Sequence, residues 1–574
     1  MDEQEKKWVR QEIAKYEVFD YVIPYINRPS IRSAVSLVSK RWYKIDSVTR
    51  KKVNIDNCYS TSPQRLSERF PNLEKLKVKG KPWASTFDLL PYDWGGYVTP
   101  WVNEIVLNVN SLKSIHFRLM IVKDFDLEAL AQARGPMLLE LKLDKCFGFS
   151  TDGLLRVAQS CRNLKVFILE ESRILDNGGQ WLHEIAVSNT VLETLNFYMT
   201  DLATVDFRDL ELISRNCLSL KSVKINNNWE IIDLLGFFRL AASLEEFCGG
   251  SHTRLTDDII DVTLPATIQR LGLTNIRSNG LQVLFPLGGL GLTKLDLGYT
   301  WVKNHYHLIR KFPNLEVIKA QDVIGDRGLE ALAFNCKKLK RLRIEHGEEG
   351  REGMVSHKGL EEIAQGCSQL EYLSVYVSDI TNETLEIIGK RLKKLRGFRL
   401  VLADRLSMVT DLPLDNGVRA LLEGCTKLVR FALYLRPGGL TDAGLIDIGK
   451  YSKNVKWMLL GRVGETDEGL RKFSEGCPVL EKLQMRGCCF SEKALAFAIT
   501  QLRSLRFLWV QGYTASVDGR DLFYMQRPYW NIELIPATPI VPAQILAYYS
   551  LVGPRTDYPE TVSLLHDLPP GQHP

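Results

Sequence analysis

Lys75, Lys77 and Lys79 occupy every second position of "KLKVKGK", Lys81 continues the alternation, and Trp83 breaks it. Alternate residues of an extended segment project to one face. The run therefore sets cations side by side, an arrangement suited to an anion. Related segments follow. "SIHFR" offers Ser114, His116 and Arg118, "RLRIE" offers Arg341, Arg343 and Glu345, and "YLSVY" offers Tyr372, Ser374 and Tyr376. Arg399, Arg430, Tyr434, Leu459, Lys482, Arg486 and Trp509 fall at matching places in later segments. A single Lys or Arg is ordinarily a solvated charge, but many on one face repel one another. A polyanion would relieve that repulsion, its phosphates or carboxylates accepting bidentate guanidinium bonds. The aromatics Tyr372, Tyr376, Tyr434 and Trp509 gather in late segments instead of interleaving along a track, which disfavours nucleic acid. With Leu459, Phe87 and Leu89 they would wall a small-molecule pocket above a basic floor. The alternative, that they only pack against one another, is equally open.

The element that must position these residues is a repeat. Segments of the form "LxxLxL" begin at Leu73, Leu112, Leu138, Leu164, Leu192, Leu220 and Leu244, and continue to Leu480 and Leu505, mostly 23 to 28 residues apart. That is the leucine-rich-repeat period, a strand and a helix per unit. The fold class it predicts is an α/β solenoid, a leucine-rich-repeat horseshoe with leucines at positions one, four and six pointing inward and positions three, five and seven facing the concavity. Three longer spacings predict rim loops, beginning "GKPWASTFDLLPYDW", near Gly347 and near Leu402. Cys161, Cys217, Cys336, Cys367, Cys425 and Cys477 each stand three residues before a repeat leucine, so they read as buried apolar residues, and packing is also expected of Cys488 and Cys489.

Across 574 residues, 74 Lys and Arg against 68 Asp and Glu leave a net charge of +6, too small an excess for a protein that coats nucleic acid. No signal-peptide run and no long apolar span is present, and a soluble, intracellular chain without membrane contact is expected. No phosphate loop, metal set or nucleophile motif points to an enzyme.

Ahead of the repeats, 16–50 carries helical spacing of Val18, Val22 and Ile26, then Leu37, Val38 and Trp42 within "SLVSKRW". This stretch resembles an F-box, the alternative being an ordinary capping helix pair. The expected domains are an F-box over 1–57, with its core at about 16–50, a solenoid over 58–513, and a C-terminal cap and tail over 514–574.

Longer stretches carry a closer resemblance: "FPNLEKLKVKGKP", "WGGYVTPWV", "VYVSDITNETLE", "TDLPLDNGVRALL", "RGCCFSE", "LWVQGY" and "RPYWNIE". Over nearly its whole length the chain resembles the coronatine-insensitive F-box receptors for jasmonate hormones of plants. The resemblance implies a non-catalytic substrate-recognition subunit of an SCF-type (cullin-RING) ubiquitin ligase, nuclear and cytoplasmic. Val18, Val22, Ile26, Leu37, Val38 and Trp42 would dock a Skp-type adaptor, itself joined to a cullin scaffold. A jasmonoyl-amino-acid conjugate would recruit the degron of a JAZ-type repressor. Arg343, Arg399 and Arg486 would bind its carboxylate or carbonyl groups, Tyr376 and Tyr434 would add hydroxyl bonds, and Ser374, Leu459, Trp509, Phe87 and Leu89 would line the pocket. An inositol polyphosphate would lie on Lys77, Lys79, His116, Arg118, Arg341 and Lys482.

The chain departs from the family at two cations. Trp83 in "KPWAS" and Leu119 in "FRLM" stand where the family has arginine. Each lost charge-assisted bond is worth about 1.5 to 3 kcal/mol. An F-box receptor with altered or absent hormone dependence is therefore a second reading, and a leucine-rich-repeat scaffold outside any ligase a third.

Overall fold

The computed structural model describes residues 21–26, 28–80, 96–200, 202, 205–251, 263–274, 291–298, 309–321, 324–345, 355–402, 411–516, 520–527, 530–537, 545–550 and 561–565. Trp83, Phe87, Leu89 and Val18, and most of the expected rim loops, lie outside the described residues. The chain divides into two compact units, 1–81 with 95–219, and 82–94 with 220–574.

Among the described residues of the N-terminal unit, two short helices follow the 3-10 turn Ile23–Tyr25. Pro29 begins the helix Pro29–Ser36, its fixed φ suited to a first turn. The helix Lys40–Thr49 is capped by Ser39, whose Oγ accepts from the Trp42 N–H at 3.2 Å. A buried carboxylate locks the pair together: Asp46 accepts from Arg32 Nε at 2.8 Å and is paired with Arg50 at 2.9 Å. Removing one side of such a buried pair costs about 3 to 5 kcal/mol.

Parallel strands follow in each unit. In the first, Lys52–Ile55, Lys75–Lys79, Ser114–Arg118, Glu140–Asp144, Val166–Ile168 and Thr194–Asn196 pair in that order. In the second, parallel pairing runs from Ser222–Lys224 through Lys482–Arg486 and Phe507–Tyr513 to Asn531–Pro536. There Ile545–Tyr549 adds antiparallel, ending the repeat pattern. Leu73, Leu76 and Val78 of the first repeat are all buried, as are Leu480, Leu483 and Met485 of a late one. The inward positions are thus one, four and six, and positions three, five and seven lie on the open face.

Helices such as Asp442–Tyr451, Asp467–Ser474 and Glu492–Gln501 connect the strands. Each begins with an acid, where a carboxylate complements the helix dipole, and that acid also reaches the next repeat. Asp415 accepts from the Thr441 N–H and hydroxyl at 3.0 and 2.5 Å. Asp442 accepts from the Thr466 hydroxyl at 2.5 Å, Asp467 from Ser491 at 2.8 and 2.5 Å, and Glu492 from Ser516 at 3.1 and 3.0 Å. Thr441, Thr466 and Ser491 are the N-caps of their own helices. One ladder of side chains therefore ties each helix start to the next.

The repeat cysteines end the helices. Cys161, Cys217, Cys336, Cys367 and Cys425 are C-cap residues, and Cys217 Sγ donates to the Asn189 carbonyl at 3.1 Å. Burial pushes the Cys161 and Cys336 thiols up to about 12, so they are poor nucleophiles and metal ligands. Cys488 is buried, but Cys489 departs from the expected packing role: it is exposed, Sγ donating to the Glu465 carbonyl at 3.2 Å.

Candidate functional site

The open face of the N-terminal unit carries the lysine ladder. In register, Lys75 lies beside Ser114 and Glu140, Lys77 beside His116 and Lys142, and Lys79 beside Arg118 and Asp144. The last strand supplies acids that the basic pattern did not anticipate. Lys75 Nζ donates to Glu140 at 2.8 Å and Lys142 Nζ approaches it at 3.0 Å. Arg118 and His116 approach Asp144 at 3.2 and 3.5 Å. Part of the expected repulsion is therefore offset within the protein. Lys77 remains strained: burial, then the Arg118 charge, lower its pKa. A bound anion would reverse that direction.

Leu119 follows this strand with φ 54, in the left-handed region. Lys145, Glu171 and Met199 sit at the equivalent point of the next repeats with φ 54, 53 and 54. The family's missing arginine thus maps to a strand exit, where any L-residue bears a cost of about 1–2 kcal/mol.

The C-terminal unit sets its candidate residues in three rows. The middle row runs in register through Arg343, Ser374, Arg399, Ala432, Leu459, Gln484, Trp509 and Glu533. The row toward the strand ends holds Tyr376, Val401, Tyr434, Gly461, Arg486 and Gln511. The third holds Arg341, Tyr372, Gly397, Arg430, Trp457 and Lys482.

Adjacent strands are about 4.8 Å apart, so the Arg343 and Arg399 backbones are separated by about 10 Å, with Ser374 between them. A carboxylate over Ser374 is within reach of both long side chains. Arg343 is meanwhile paired with Glu345. Arg399 is exposed, yet loss of solvent around its guanidinium, and then the Arg343 charge, lower its pKa. The two guanidiniums are therefore held together at a cost that an anion relieves.

Glycines seat the aromatic rings. A Cβ at Gly461 would lie 2.0 Å from Tyr434 Cδ2, and one at Gly397 would lie 2.5 Å from Tyr372 Cδ1. Both rings therefore lie flat over a bare neighbour. Arg462 and Arg486 lie 5.5 and 5.9 Å from the Tyr434 ring centre, and Arg341 stacks 4.3 Å from that of Tyr372. Arg462 was not anticipated: it leaves the strand with φ 53, just past the alternating positions.

Trp509 keeps its register position but is 1% exposed. It is floor rather than the open pocket wall expected of it, its row being closed at Gln484 and Trp509 while Leu459 beside them stays half-buried. Leu459, Ser374, Tyr376 and Tyr434 are half-buried, and Arg486, Arg341 and Lys482 are exposed. Lys77, Lys79, His116 and Arg118 are half-buried on the other unit. Of the expected adaptor residues, Val22, Leu37 and Val38 are exposed at 47%, 83% and 63%. Ile26 and Trp42 are half-buried. No described helix is long and apolar enough to cross a membrane.

Comparison with known proteins covers both parts of the chain. An F-box family matches residues 13–52, and the transport inhibitor response 1 protein domain matches residues 71–117. Coronatine-insensitive protein 1 of Arabidopsis thaliana is 56% identical, covering 96% of this chain and 97% of its own. Coronatine-insensitive protein homolog 1b of Oryza sativa subsp. japonica is 53% identical, covering 96% of each. F-box protein FBX14 of Arabidopsis thaliana is 32% identical, over 96% of this chain and 91% of its own. With the F-box and the repeat matched together along the length of both chains, the protein belongs to the coronatine-insensitive family of F-box and leucine-rich-repeat proteins, receptor subunits of SCF-type E3 ubiquitin ligases.

Proposed function

We propose that this protein is a jasmonate co-receptor that recruits JAZ-type transcriptional repressors in the nucleus for ubiquitination. The observation that carries the reading is the pairing of Arg343 and Arg399 across Ser374, beside a Tyr434 ring flanked by Arg462 and Arg486. A jasmonoyl-amino-acid conjugate has a carboxylate for the first group and a ring carbonyl for the second. Leu459 supplies apolar surface next to them. The exposed Val22, Leu37 and Val38 would seat a Skp-type adaptor joined to a cullin scaffold, whose partners supply the ubiquitin chemistry. An inositol polyphosphate suits the cluster Lys77, Lys79, His116 and Arg118; Arg341 and Lys482, in one row of the C-terminal unit, are suited to phosphate in their own right.

A second reading is favoured by Trp83 and Leu119, which replace two arginines of the family: the receptor answers to another ligand, or to none. The test is recovery of a JAZ degron peptide by the adaptor-bound protein with and without a jasmonoyl-isoleucine conjugate. Conjugate-dependent recovery is expected. Recovery without the conjugate supports the second reading, and no recovery at saturating conjugate rejects both the hormone and the repressor assignment.

A further inference from the structure

Among the described residues of the C-terminal unit, several buried side chains leave one polar atom without a hydrogen bond, Tyr513 Oη among them, but Gln484 leaves both atoms of an amide so. It is 1% exposed, yet among the described residues neither Oε1 nor Nε2 has a hydrogen-bond partner. A buried amide without partners costs about 1–3 kcal/mol, and native proteins keep few of them. Its setting is specific. Gln484 lies at position five of Lys482–Arg486, so it shares the open face with Lys482 and Arg486, each about 6.6 Å away along the strand. Both of those cations are exposed. Across the sheet, Leu459 and Trp509 flank it in register, and neither takes up its hydrogen bonds.

We infer that Gln484 is a ligand-contacting residue whose Nε2 donates to an oxygen of a carboxylate, carbonyl or phosphate drawn in by Lys482 and Arg486. The inference rests on the co-receptor reading and adds a neutral donor between a residue assigned to the hormone, Arg486, and one assigned to the polyanion, Lys482. Neutrality suits the position. A third cation would add repulsion in the unliganded protein, and a carboxylate would pair with the two cations and repel the anion. Oε1 is left to accept from either cation as it turns toward the ligand.

The test uses the full chain bound to its adaptor, comparing the unmodified protein with Gln484→Leu, which keeps volume and removes hydrogen bonding, and Gln484→Glu, which keeps shape and adds charge. Each is titrated separately with a jasmonoyl-isoleucine conjugate and with inositol hexakisphosphate. Affinity for one of them is expected to fall about tenfold in Gln484→Leu and further in Gln484→Glu, a tenfold change being about 1.4 kcal/mol. The probe affected identifies the source of the oxygen. Unliganded Gln484→Leu should melt no lower than the unmodified protein, because an unpartnered amide has been replaced by an apolar group. Unchanged affinity for both probes overturns the inference alone. Failure of the unmodified protein to bind either probe overturns the co-receptor reading, and this inference with it. If Gln484→Leu does not fold, Gln484→Glu decides on affinity.

Discussion

Glu140 shows how a single acid changes the meaning of a basic face. Partial burial pushes its pKa up, but the ammonium groups of Lys75 and Lys142 outweigh burial and hold it at about 2, below the ordinary 4.5. Because the folded value is the lower one, Glu140 contributes its full stability above about 4.5 and loses it as pH falls toward 2. Glu140→Gln should therefore be less stable than the unmodified protein at neutral pH, with the gap closing over that acid range. Thermal unfolding followed at several pH values checks this, and parallel curves for the two proteins would falsify it. The cations were legible because alternation marks a face by itself. Their counter-charges were not, since Glu140 and Asp144 belong to a strand two places along the sheet, and only the folded register sets them beside Lys75 and Arg118. The same limit hid Arg462 and the glycine seats at 397 and 461, whose roles depend on a ring from the preceding strand.

At the scale of the repeat, the hydrophobic spacing announced the strands and helices, and the leucine positions it implied are the buried ones. What spacing did not announce is the acid ladder, because each acid and its hydroxyl partner stand about a repeat apart and neither is unusual at a helix start. Asp467 has two roles in that ladder: it lies in the first turn of Asp467–Ser474 and holds both the N–H and hydroxyl of Ser491, the cap of Glu492–Gln501. Its removal leaves a partly buried amide and hydroxyl without their charged acceptor, at a cost of about 1.5 to 3 kcal/mol. Asp467→Ala should therefore speed amide hydrogen exchange first in Glu492–Gln501 and adjacent turns, while Asp467→Asn, which keeps one acceptor, should lose less. Exchange in Glu492–Gln501 unchanged from the unmodified protein in both variants would mean that the ladder does not couple neighbouring repeats.

At the scale of the whole molecule, a ligase receptor must hold its adaptor without disturbing ligand capture. The residues proposed for docking and those that hold the F-box helices together are built differently. Leu37 and Val38 follow the helix Pro29–Ser36 and stand exposed at 83% and 63%, so they contribute little to the fold. Asp46, which does hold those helices, is buried behind Arg32 and Arg50. Exposed apolar surface of this kind is the signature of a partner site, and its loss should act on assembly alone. The double variant Leu37→Asp, Val38→Asp is expected to keep the melting temperature and the affinity for jasmonoyl-isoleucine while losing adaptor binding by more than tenfold, since two buried apolar contacts and two desolvated charges act against docking. Asp46→Ala makes the contrasting case. It leaves Arg32 and Arg50 without their carboxylate and should lower stability and adaptor binding together. If both variants fail in both assays, Leu37 and Val38 belong to the fold, and the adaptor surface must be sought elsewhere on the F-box.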